Sequence, residues 1–323
     1  MPLTIWTNAK LEDHATRLLE EGTRSHRLVV SANASVSVLT AGQPDPALAT
    51  ADIALGQPDP ADCLRNPRLR WVEVTTAGYT RYDTPAFQEA FRTRGSIFTN
   101  MSGVFADPCA QHVLAMMLAL GRQLLPSYRD QLTDHRWEYL QRRYDSRLLT
   151  GQTVLLLGFG AIGRRLAELL APFGMKVYAV RRQTRSEAGV HIIPEEKLSA
   201  VLPTADHVVN ILPDNDATRN YVNARRLALF KPGARFYNVG RGTTVDQRAL
   251  QEALESGRLG EAYLDVFDPE PLPPEHPLWT TKNCYVTPHT AGGRRDQDEA
   301  IVRHFLANLA AFEQGGAMVD RVV

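Results

Sequence analysis

Short apolar segments rich in β-forming residues alternate with helix-like segments over most of this 323-residue chain, and this alternation limits the fold more than any other feature. Parallel strands need a crossover connection between them, so the pattern predicts parallel sheets with helices on both faces. The strands predicted in the first hundred residues are Leu3–Trp6, Leu28–Val30, Ile53–Leu55, Trp71–Thr75 and Ile97–Thr99. We therefore expect an α/β protein with doubly wound parallel sheets.

A second alternating series follows and runs to about His289. Its predicted strands are Thr153–Leu157, Lys176–Val180, His207–Ile211, Arg235–Val239, Glu261–Leu264 and Asn283–Val286. The last segment, Gly292–Phe312, has the pattern of one amphipathic helix that closes the first series. Since the chain is longer than one core usually supports, we expect two domains, one of residues 1–101 and 291–323 and one of residues 102–290.

The segment between the two series contains a long apolar helix. Asp107 is suited to cap its amino end and Pro108 to occupy its first position, so we predict that the helix begins there. Apolar residues occur on nearly every face of Val113–Leu125, which is typical of a helix buried in a core or a subunit contact. The polar segment Ser127–Leu149 is predicted to be a connector.

The composition excludes several classes of partner. The 36 basic and 36 acidic side chains balance, so no strong positive field would hold nucleic acid or an anionic membrane. We identify no apolar run of membrane-spanning length and no secretion signal at the start of the sequence. The cysteines Cys63, Cys109 and Cys284 lie far apart, which predicts no disulfide framework and no metal site and favours a cytoplasmic location.

A glycine-rich turn joins the first strand of the second series to a helix. Gly158, Gly160 and Gly163 form the pattern GxGxxG in this strand–turn–helix context. Gly158 permits the tight turn, Gly160 lets the backbone approach a pyrophosphate, and Gly163 lets the helix pack closely on the sheet. The amides around Ala161 and Ile162 would then face the phosphates at the positive end of the helix. The sequence therefore predicts a dinucleotide-binding turn.

The end of the next strand indicates which dinucleotide binds. An NAD-binding domain usually places an acid there to bind the ribose hydroxyls, but this chain has Arg181 at that position. Arg182 and Arg185 follow it, and guanidinium groups can clamp the 2′-phosphate that an acid would repel. We therefore predict NADP(H) as the preferred cofactor, with NAD(H) as the alternative.

Three further motifs follow the turn in a fixed order. They are Asn238–Gly242 (NVGRG), Leu264–Pro271 (LDVFDPEP) and Thr287–Gly292 (TPHTAG). Together with the glycine turn, this set resembles the D-isomer-specific 2-hydroxyacid dehydrogenase family. The resemblance implies two Rossmann-like domains with the active site in the cleft between them, in a homodimer. Residues 1–101 and 291–323 would form a flavodoxin-like substrate domain, and residues 102–290 the NADP-binding domain.

The resemblance also implies roles for individual residues. Arg241 would bind the substrate carboxylate and polarise the keto oxygen, since its planar fork suits a 2-keto acid. His289 would be the acid/base that exchanges a proton with the substrate oxygen, and Glu270 would orient its imidazole and favour the protonated form. Asp265 corresponds to the position that contacts the nicotinamide carboxamide.

Other contacts follow from the same motif positions. We expect Leu212 and Pro213 near the adenosine, Thr218 near the pyrophosphate, and Val239 and Gly240 under the nicotinamide. The segment that contains Ala77, Gly78 and Tyr79 resembles the family's substrate loop. Gly78 would let amide groups approach the substrate carboxylate. We interpret Cys109 and His112 as structural residues or as part of the subunit contact.

The segment Asp268–Trp279 resembles the glyoxylate and hydroxypyruvate reductase branch of the family. With Arg181, it predicts an NADPH-dependent reductase that converts short 2-keto acids to D-2-hydroxy acids. One alternative is an NAD-linked 2-hydroxyacid dehydrogenase of another branch. The other is a nucleotide-sensing binding protein without enzymatic activity.

Overall fold

The computed structural model describes residues 2–35, 42–181 and 186–323. Its backbone separates into two compact units, one of Met1–Phe105 with Arg294–Val323 and one of Ala106–Gly293. Each unit has its own fully parallel sheet with helices between the strands. The predicted α/β class with two doubly wound parallel sheets is thereby confirmed.

The first unit contains a five-stranded sheet. Its strands are β1 (Thr4–Ala9), β2 (Arg27–Ser35), β3 (Ile53–Gly56), β4 (Trp71–Val74) and β5 (Ile97–Thr99), in the spatial order β2-β1-β3-β4-β5. Its helices are α1 (Asp13–Gly22), α2 (Pro60–Arg65), α3 (Pro85–Arg94) and α11 (Gln297–Gln314). Short 3₁₀ turns occur at Pro46–Thr50 and Thr80–Tyr82.

Successive residues of the central strands point to opposite faces of this sheet, as the strand period requires. Ile5 packs into the cluster on one face, together with residues of α1 and α11, whereas Trp6 packs into the cluster on the other face, with residues of α2 and α3. Trp71 of β4 stacks on Phe305 of α11 with ring centroids 5.1 Å apart. The last helix therefore closes the core of the first unit.

The second unit contains a seven-stranded sheet in the spatial order β12-β11-β10-β9-β6-β7-β8. These strands are β6 (Thr153–Leu157), β7 (Lys176–Val180), β8 (Val190–Ile193), β9 (His207–Asn210), β10 (Ala234–Asn238), β11 (Leu259–Leu264) and β12 (Cys284–Val286). The helices between them are α7 (Ala161–Leu170), α8 (Leu198–Val201), α9 (Ala224–Leu227) and α10 (Gln247–Glu255). The carboxyl ends of β6, β9 and β10 adjoin, which places the loops that follow them at one edge of the sheet.

The helix α4 corrects the predicted start at Asp107. It spans Ser102–Gly121 and carries Pro108 in its interior, and Asn100 accepts the amide of Ser102 at 3.1 Å just before it. An interior proline costs a helix about 3 kcal/mol because its ring removes one hydrogen bond. Burial of apolar residues on both sides of Pro108, such as Val104 and Val113, offsets this cost.

The connector prediction is also incomplete. The segment after α4 contains two helices, α5 (Leu124–Leu132) and α6 (Tyr139–Asp145), whose apolar side chains are largely exposed. The edge strand β8 was not predicted, because the exposed His191 interrupts its short apolar run.

Among the described residues, α4 is long and apolar enough by length and composition to cross a membrane, which corrects the expectation that no segment has this character. One such helix is weak evidence, because core helices of water-soluble proteins have the same composition.

Candidate active site

The glycine turn after β6 has the geometry that its sequence predicts. Gly158 adopts a φ of +97°, which L side chains rarely adopt. A Cβ atom on Gly163 would lie 3.2 Å from the carbonyl oxygen of Gly158, so this position holds α7 close to the turn. The path of the backbone therefore depends on glycine at both ends of the motif.

The amino end of α7 is open. Gly160 is the N-cap residue, is exposed, and would place a Cβ atom with no described atom within 4 Å. Within the described part of the chain, no side chain caps this end of the helix. The amides of the first turn, near Ala161 and Ile162, are therefore available to an anion at the positive end of the helix dipole. This geometry fits the pyrophosphate of a dinucleotide.

Arg181 directly follows β7 and lies beside this turn. One of its guanidinium nitrogens, Nη1, is 3.5 Å from the Oε1 atom of Glu187. The Nε atom of Arg164, in the first turns of α7, donates to the same oxygen at 3.3 Å. Arg182 and Arg185, the other two predicted phosphate ligands, lie outside the described residues.

The loops after β9 and β10 pack against each other without side chains between them. A Cβ atom on Gly240 would lie 2.8 Å from the carbonyl oxygen of Leu212, so only glycine fits there. Val239 is buried, and its amide bonds to the carbonyl of Asn210 at 3.2 Å. Leu212 is half-buried and Pro213 is exposed at the same edge of the sheet. These four predicted cofactor ligands therefore share one edge.

Thr218 uses its side chain within its own loop. Its hydroxyl donates to the carbonyl of Pro213 at 2.6 Å, and the amide of Asn215 donates to it at 3.0 Å. The residue is buried. In this structure it closes the loop that follows β9, and its predicted contact with the pyrophosphate stays a prediction.

Arg241 is held by a buried polar cluster that was not expected from the sequence. Asn210 donates to the side chains of Asn238 at 2.9 Å and Thr244 at 2.7 Å, and the Thr244 hydroxyl donates to the carbonyl of Arg241 at 2.6 Å. The sequence signal that could have indicated this cluster is the presence of polar residues at the carboxyl ends of two buried strands. A Cβ atom on Gly242 would collide with the backbone of Phe267, so the Arg241 loop lies directly on that segment.

The guanidinium of Arg241 lies in a poorly hydrated environment. Burial lowers its pKa, and the nearby carboxylates of Glu270 and Asp214 act in the opposite direction. Its Nη1 atom donates to the carbonyl of Gly240 at 2.6 Å. An arginine stays charged in such a place. The site therefore contains a fixed cation with further donors for an anionic ligand.

Glu270 and His289 form a direct pair. The Oε2 atom of Glu270 is 2.8 Å from Nδ1 of His289, and its Oε1 atom accepts the amide of Phe267 at 2.8 Å. Burial raises the pKa of Glu270, but the hydrogen bonds from His289 and Phe267, with the charges of His289 and Arg241, outweigh it and lower the pKa below its ordinary value. The carboxylate is therefore ionised and can stabilise an imidazolium ion.

Asp265 holds the loop that carries His289. Its Oδ1 atom accepts the hydroxyl of Thr287 at 2.6 Å and the amide of Thr290 at 2.8 Å, and Oδ2 accepts the amide of Ala291 at 3.0 Å. His289 itself has a φ of +54°, and its amide bonds to the carbonyl of Asp265 at 2.8 Å. The carboxylate thus fixes an uncommon backbone conformation. Its predicted contact with the nicotinamide stays a prediction.

A chain of hydrogen bonds extends from this loop to α4. The hydroxyl of Tyr263 bonds to Thr287 and to Nε2 of His112, the latter at 2.6 Å, and the rings of Tyr263 and His112 stack. Cys109 lies nearby, and burial, with the charge of Asp265, raises the pKa of its thiol to about 12. The thiol is therefore protonated and unreactive, in keeping with the interpretation of Cys109 and His112 as structural.

The predicted substrate loop belongs to the first unit and follows β4. Asn100 donates to the carbonyl of Ala77 at 2.8 Å, and the Thr76 hydroxyl donates to the carbonyl of Gly78 at 2.7 Å. The ring of Tyr79 packs edge-on against Phe98 with centroids 5.9 Å apart. These contacts give the loop a defined conformation, while its contact with substrate stays a prediction.

Among the described residues, no group of three or more histidine, cysteine, aspartate or glutamate side chains is arranged to hold a metal ion.

Known proteins share this sequence pattern. The family model described as "D-isomer specific 2-hydroxyacid dehydrogenase, NAD binding domain" matches residues 114–291. A glyoxylate reductase of Aeropyrum pernix is 33% identical over 271 residues, which cover 80% of this chain and 78% of that protein.

Solved structures also resemble the chain over nearly its whole length. A D-isomer specific 2-hydroxyacid dehydrogenase from Xanthobacter autotrophicus Py2, in complex with NADPH and MES, has a TM-score of 0.83 and 27% identity, covering 100% of this chain and 98% of that one. An NADPH-dependent glyoxylate/hydroxypyruvate reductase from Sinorhizobium meliloti, in complex with NADP and sulfate, has a TM-score of 0.79 and 25% identity, covering 99% and 98%.

Proposed function

Because this chain belongs to the D-isomer-specific 2-hydroxyacid dehydrogenase family, we propose that it is an NADPH-dependent reductase of short 2-keto acids. Its substrates would be of the glyoxylate and hydroxypyruvate type, and its products D-2-hydroxy acids. The observation that carries this proposal is the 2.8 Å pair between Glu270 and His289, whose electrostatic surroundings include Arg241. Glu270 anchors His289, the proposed proton donor, and Arg241 supplies a cation for the carboxylate of a substrate.

His289 is the proposed acid/base. Its Nδ1 atom is engaged by Glu270, which leaves Nε2 to exchange a proton with the substrate oxygen. A nicotinamide cofactor held at the glycine turn would supply the hydride for the keto carbon. As the carbonyl becomes an alkoxide, His289 protonates the oxygen, and the ionised Glu270 stabilises the charged imidazole before that transfer.

Arg241 is the proposed carboxylate ligand. Its guanidinium presents parallel N–H groups that match the two oxygens of a carboxylate, and its poorly hydrated environment strengthens the interaction. The buried amide of Asn210 and the packing of Gly242 on Phe267 fix the loop on which it lies. The side chain therefore binds the substrate with little reorganisation.

Arg181 supports the preference for NADP(H). It occupies the position of the acid that usually binds the ribose hydroxyls of NAD, and it shares the Oε1 atom of Glu187 with Arg164 of α7. The structures similar to this chain from Xanthobacter autotrophicus and Sinorhizobium meliloti were obtained with NADPH and NADP, respectively. A guanidinium at this position would bind the 2′-phosphate that distinguishes these cofactors from NAD(H).

An exposed apolar surface on α5 and α6 supports a homodimer. The large apolar side chains exposed between residues 124 and 148 are Leu124, Tyr128, Leu132, Trp137, Tyr139, Leu140, Tyr144 and Leu148. Trp137 is 91% exposed. Monomers rarely expose apolar groups in such density, and a second copy of the chain would cover them. Light scattering coupled to gel filtration measures the expected mass of two chains.

A cytoplasmic location is part of the same proposal. All three cysteines are free thiols, two of them buried, which suits a reducing compartment. The small-molecule substrates and soluble cofactors proposed above are available there.

The experiment that tests the function is a spectrophotometric assay of cofactor oxidation with a panel of 2-keto acids. We expect turnover with glyoxylate or hydroxypyruvate, and a lower Michaelis constant for NADPH than for NADH. Cofactor binding without turnover of any 2-keto acid would favour the nucleotide-sensing binding protein. Equal or better use of NADH would contradict the cofactor preference and favour an NAD-linked member of another branch.

A further inference from the structure

An acidic side chain lies between two arginines at the edge of the glycine turn. The Oε1 atom of Glu187 accepts from Nε of Arg164 at 3.3 Å and lies 3.5 Å from Nη1 of Arg181. Arg164 belongs to the first turns of α7, whereas Arg181 directly follows β7. Two guanidinium groups from different elements therefore converge on one carboxylate oxygen, at the place where the sequence lacks its expected acid.

Another anion can replace the carboxylate of Glu187 on these two arginines. All three side chains are partly exposed, and both arginines meet the same oxygen of Glu187 at the long end of the ion-pair range. Pairs with this exposure contribute little to stability. A phosphate monoester carries nearly two negative charges and three acceptor oxygens, so it offers the same arginines more than a carboxylate does.

We propose that Glu187 sets the cofactor specificity of this site by acting as an internal anion, which holds Arg164 and Arg181 until the 2′-phosphate of NADP(H) takes its place. This inference rests on the proposed preference for NADP(H). A cofactor without the phosphate leaves Glu187 on the arginines, where its carboxylate can also accept a hydrogen bond from the ribose 2′-hydroxyl. Glu187 therefore weakens the binding of NADP(H) and favours NAD(H), which lacks the 2′-phosphate.

The side chains in this arrangement have different roles. Arg181 and Arg164 supply the positive charge for either anion, and the ring of Phe159 lies 5.8 Å below the Arg164 guanidinium, which helps to hold that side chain at the turn. Glu187 lies just before β8 and, with part of its side chain in solvent, can turn away when a phosphate arrives. The discrimination between nucleotides is thus a competition between two anions for one pair of cations.

The test measures nucleotide binding without catalysis. Calorimetric titrations of the full chain with 2′,5′-ADP and with 5′-AMP isolate the contribution of the 2′-phosphate. We expect Glu187→Gln, which keeps the shape of the side chain and removes its charge, to strengthen binding of 2′,5′-ADP by about three- to fivefold. Binding of 5′-AMP should stay the same or weaken.

Two variants control for general charge effects. Glu168→Gln removes one negative charge from α7, the helix that carries Arg164. Glu168 pairs there with Arg165 at 2.9 Å, and its loss should change the affinities for 2′,5′-ADP and 5′-AMP by less than about twofold. In an Arg181→Ala background, Glu187→Gln should lose most of its effect, because one of the two competing cations is gone. An equal gain in Glu168→Gln would overturn the proposal.

The outcomes separate this proposal from the proposed function. If the unmodified chain prefers 2′,5′-ADP and Glu187→Gln binds it no better, Glu187 has no such role and the NADP(H) preference stands. If the unmodified chain shows no preference but Glu187→Gln creates one, the role of Glu187 is supported and the NADP(H) preference is wrong. If neither protein prefers 2′,5′-ADP, both proposals are overturned.

Discussion

Each unit of the protein contains a histidine paired with carboxylates, and the two histidines differ in how many of their nitrogens are engaged. In the second unit, His289 is 30% exposed, and Glu270, bonded to its Nδ1, is the one partner of the ring among the described residues. In the first unit, His304 is 11% exposed and lies between Glu73, 3.1 Å from its Nδ1, and Asp320, 3.1 Å from its Nε2. Only His289 keeps a ring nitrogen for a ligand.

This difference decides what each imidazole can do. Burial alone would lower the pKa of His304, but the hydrogen bonds and charges of Asp320 and Glu73 raise it to about 9. His304 is therefore an imidazolium ion at neutral pH whose two N–H groups are both donated. His304 lies on α11 and Glu73 is a fully buried residue of β4, so their hydrogen bond joins the helix to the strand. A histidine–carboxylate pair alone does not indicate catalysis, whereas an available second nitrogen favours it.

The largest expected effect comes from His289→Gln. Glutamine can still bond to Glu270 but cannot transfer a proton, so we expect kcat to fall by a factor on the order of 10² to 10⁴. The affinity for NADPH, measured by fluorescence titration, should change little. Steady-state assays with the best 2-keto acid of the panel provide the comparison.

His191→Gln is the matched control, because His191 is an exposed histidine on β8 of the same unit. Its turnover should equal that of the unmodified protein. A turnover of His289→Gln within about tenfold of that value would show that another group supplies the proton.

His304→Gln should affect stability. One pKa unit corresponds to about 1.4 kcal/mol, so a pKa raised from 6.5 to about 9 corresponds to about 3 kcal/mol of stabilisation of the folded first unit. Because the folded pKa is the higher one, this stabilisation is fully present below pH 6.5 and is lost as the pH rises through 9. The unfolding free energy of the unmodified protein should decrease over this range, and that of the variant should decrease less.

Urea unfolding followed by tryptophan fluorescence measures this effect, because the buried Trp6 and Trp71 both lie in the first unit. His14→Gln removes a mainly exposed histidine from the same unit and should keep the pH dependence of the unmodified protein. If His304→Gln keeps the same slope between pH 6.5 and 9, the imidazolium of His304 does not stabilise the fold.

The sequence alone was enough to predict the parts of the molecule that depend on local geometry. The turn at Gly158 follows from a backbone angle that glycine readily adopts, and the strands of both sheets except β8 follow from short apolar runs. The pair of Glu270 and His289 was expected from two motifs 19 residues apart, but only because the resemblance assigned their roles.

Long-range packing explains what the sequence did not reveal. Pro108 was expected to begin a helix, yet buried contacts along α4 outweigh its local preference. His112 and Tyr263 are 151 residues apart, and no local pattern brings them together. The pairing of Glu187 with Arg164 likewise depends on how α7 lies beside the loop before β8.

The smallest expected effect separates two neighbouring tyrosines. Tyr263 and Tyr285 are partners in register on β11 and β12, but only the Tyr263 hydroxyl is hydrogen-bonded, to Thr287 and His112. The Tyr285 hydroxyl is buried and has no hydrogen-bond partner within the described residues. Removing a bonded hydroxyl costs about 1 kcal/mol, whereas removing an unsatisfied one costs nothing or stabilises the fold.

Tyr263→Phe should therefore lower kcat by about two- to fivefold, because the loop that carries His289 loses one of its anchors. Tyr285→Phe should keep full turnover and at least equal thermal stability. Steady-state kinetics and thermal unfolding of both variants measure the difference. Equal effects of the two substitutions would mean that the Tyr263 hydroxyl contributes only packing. The position of His289 would then depend on the carboxylates of Asp265 and Glu270 without help from α4.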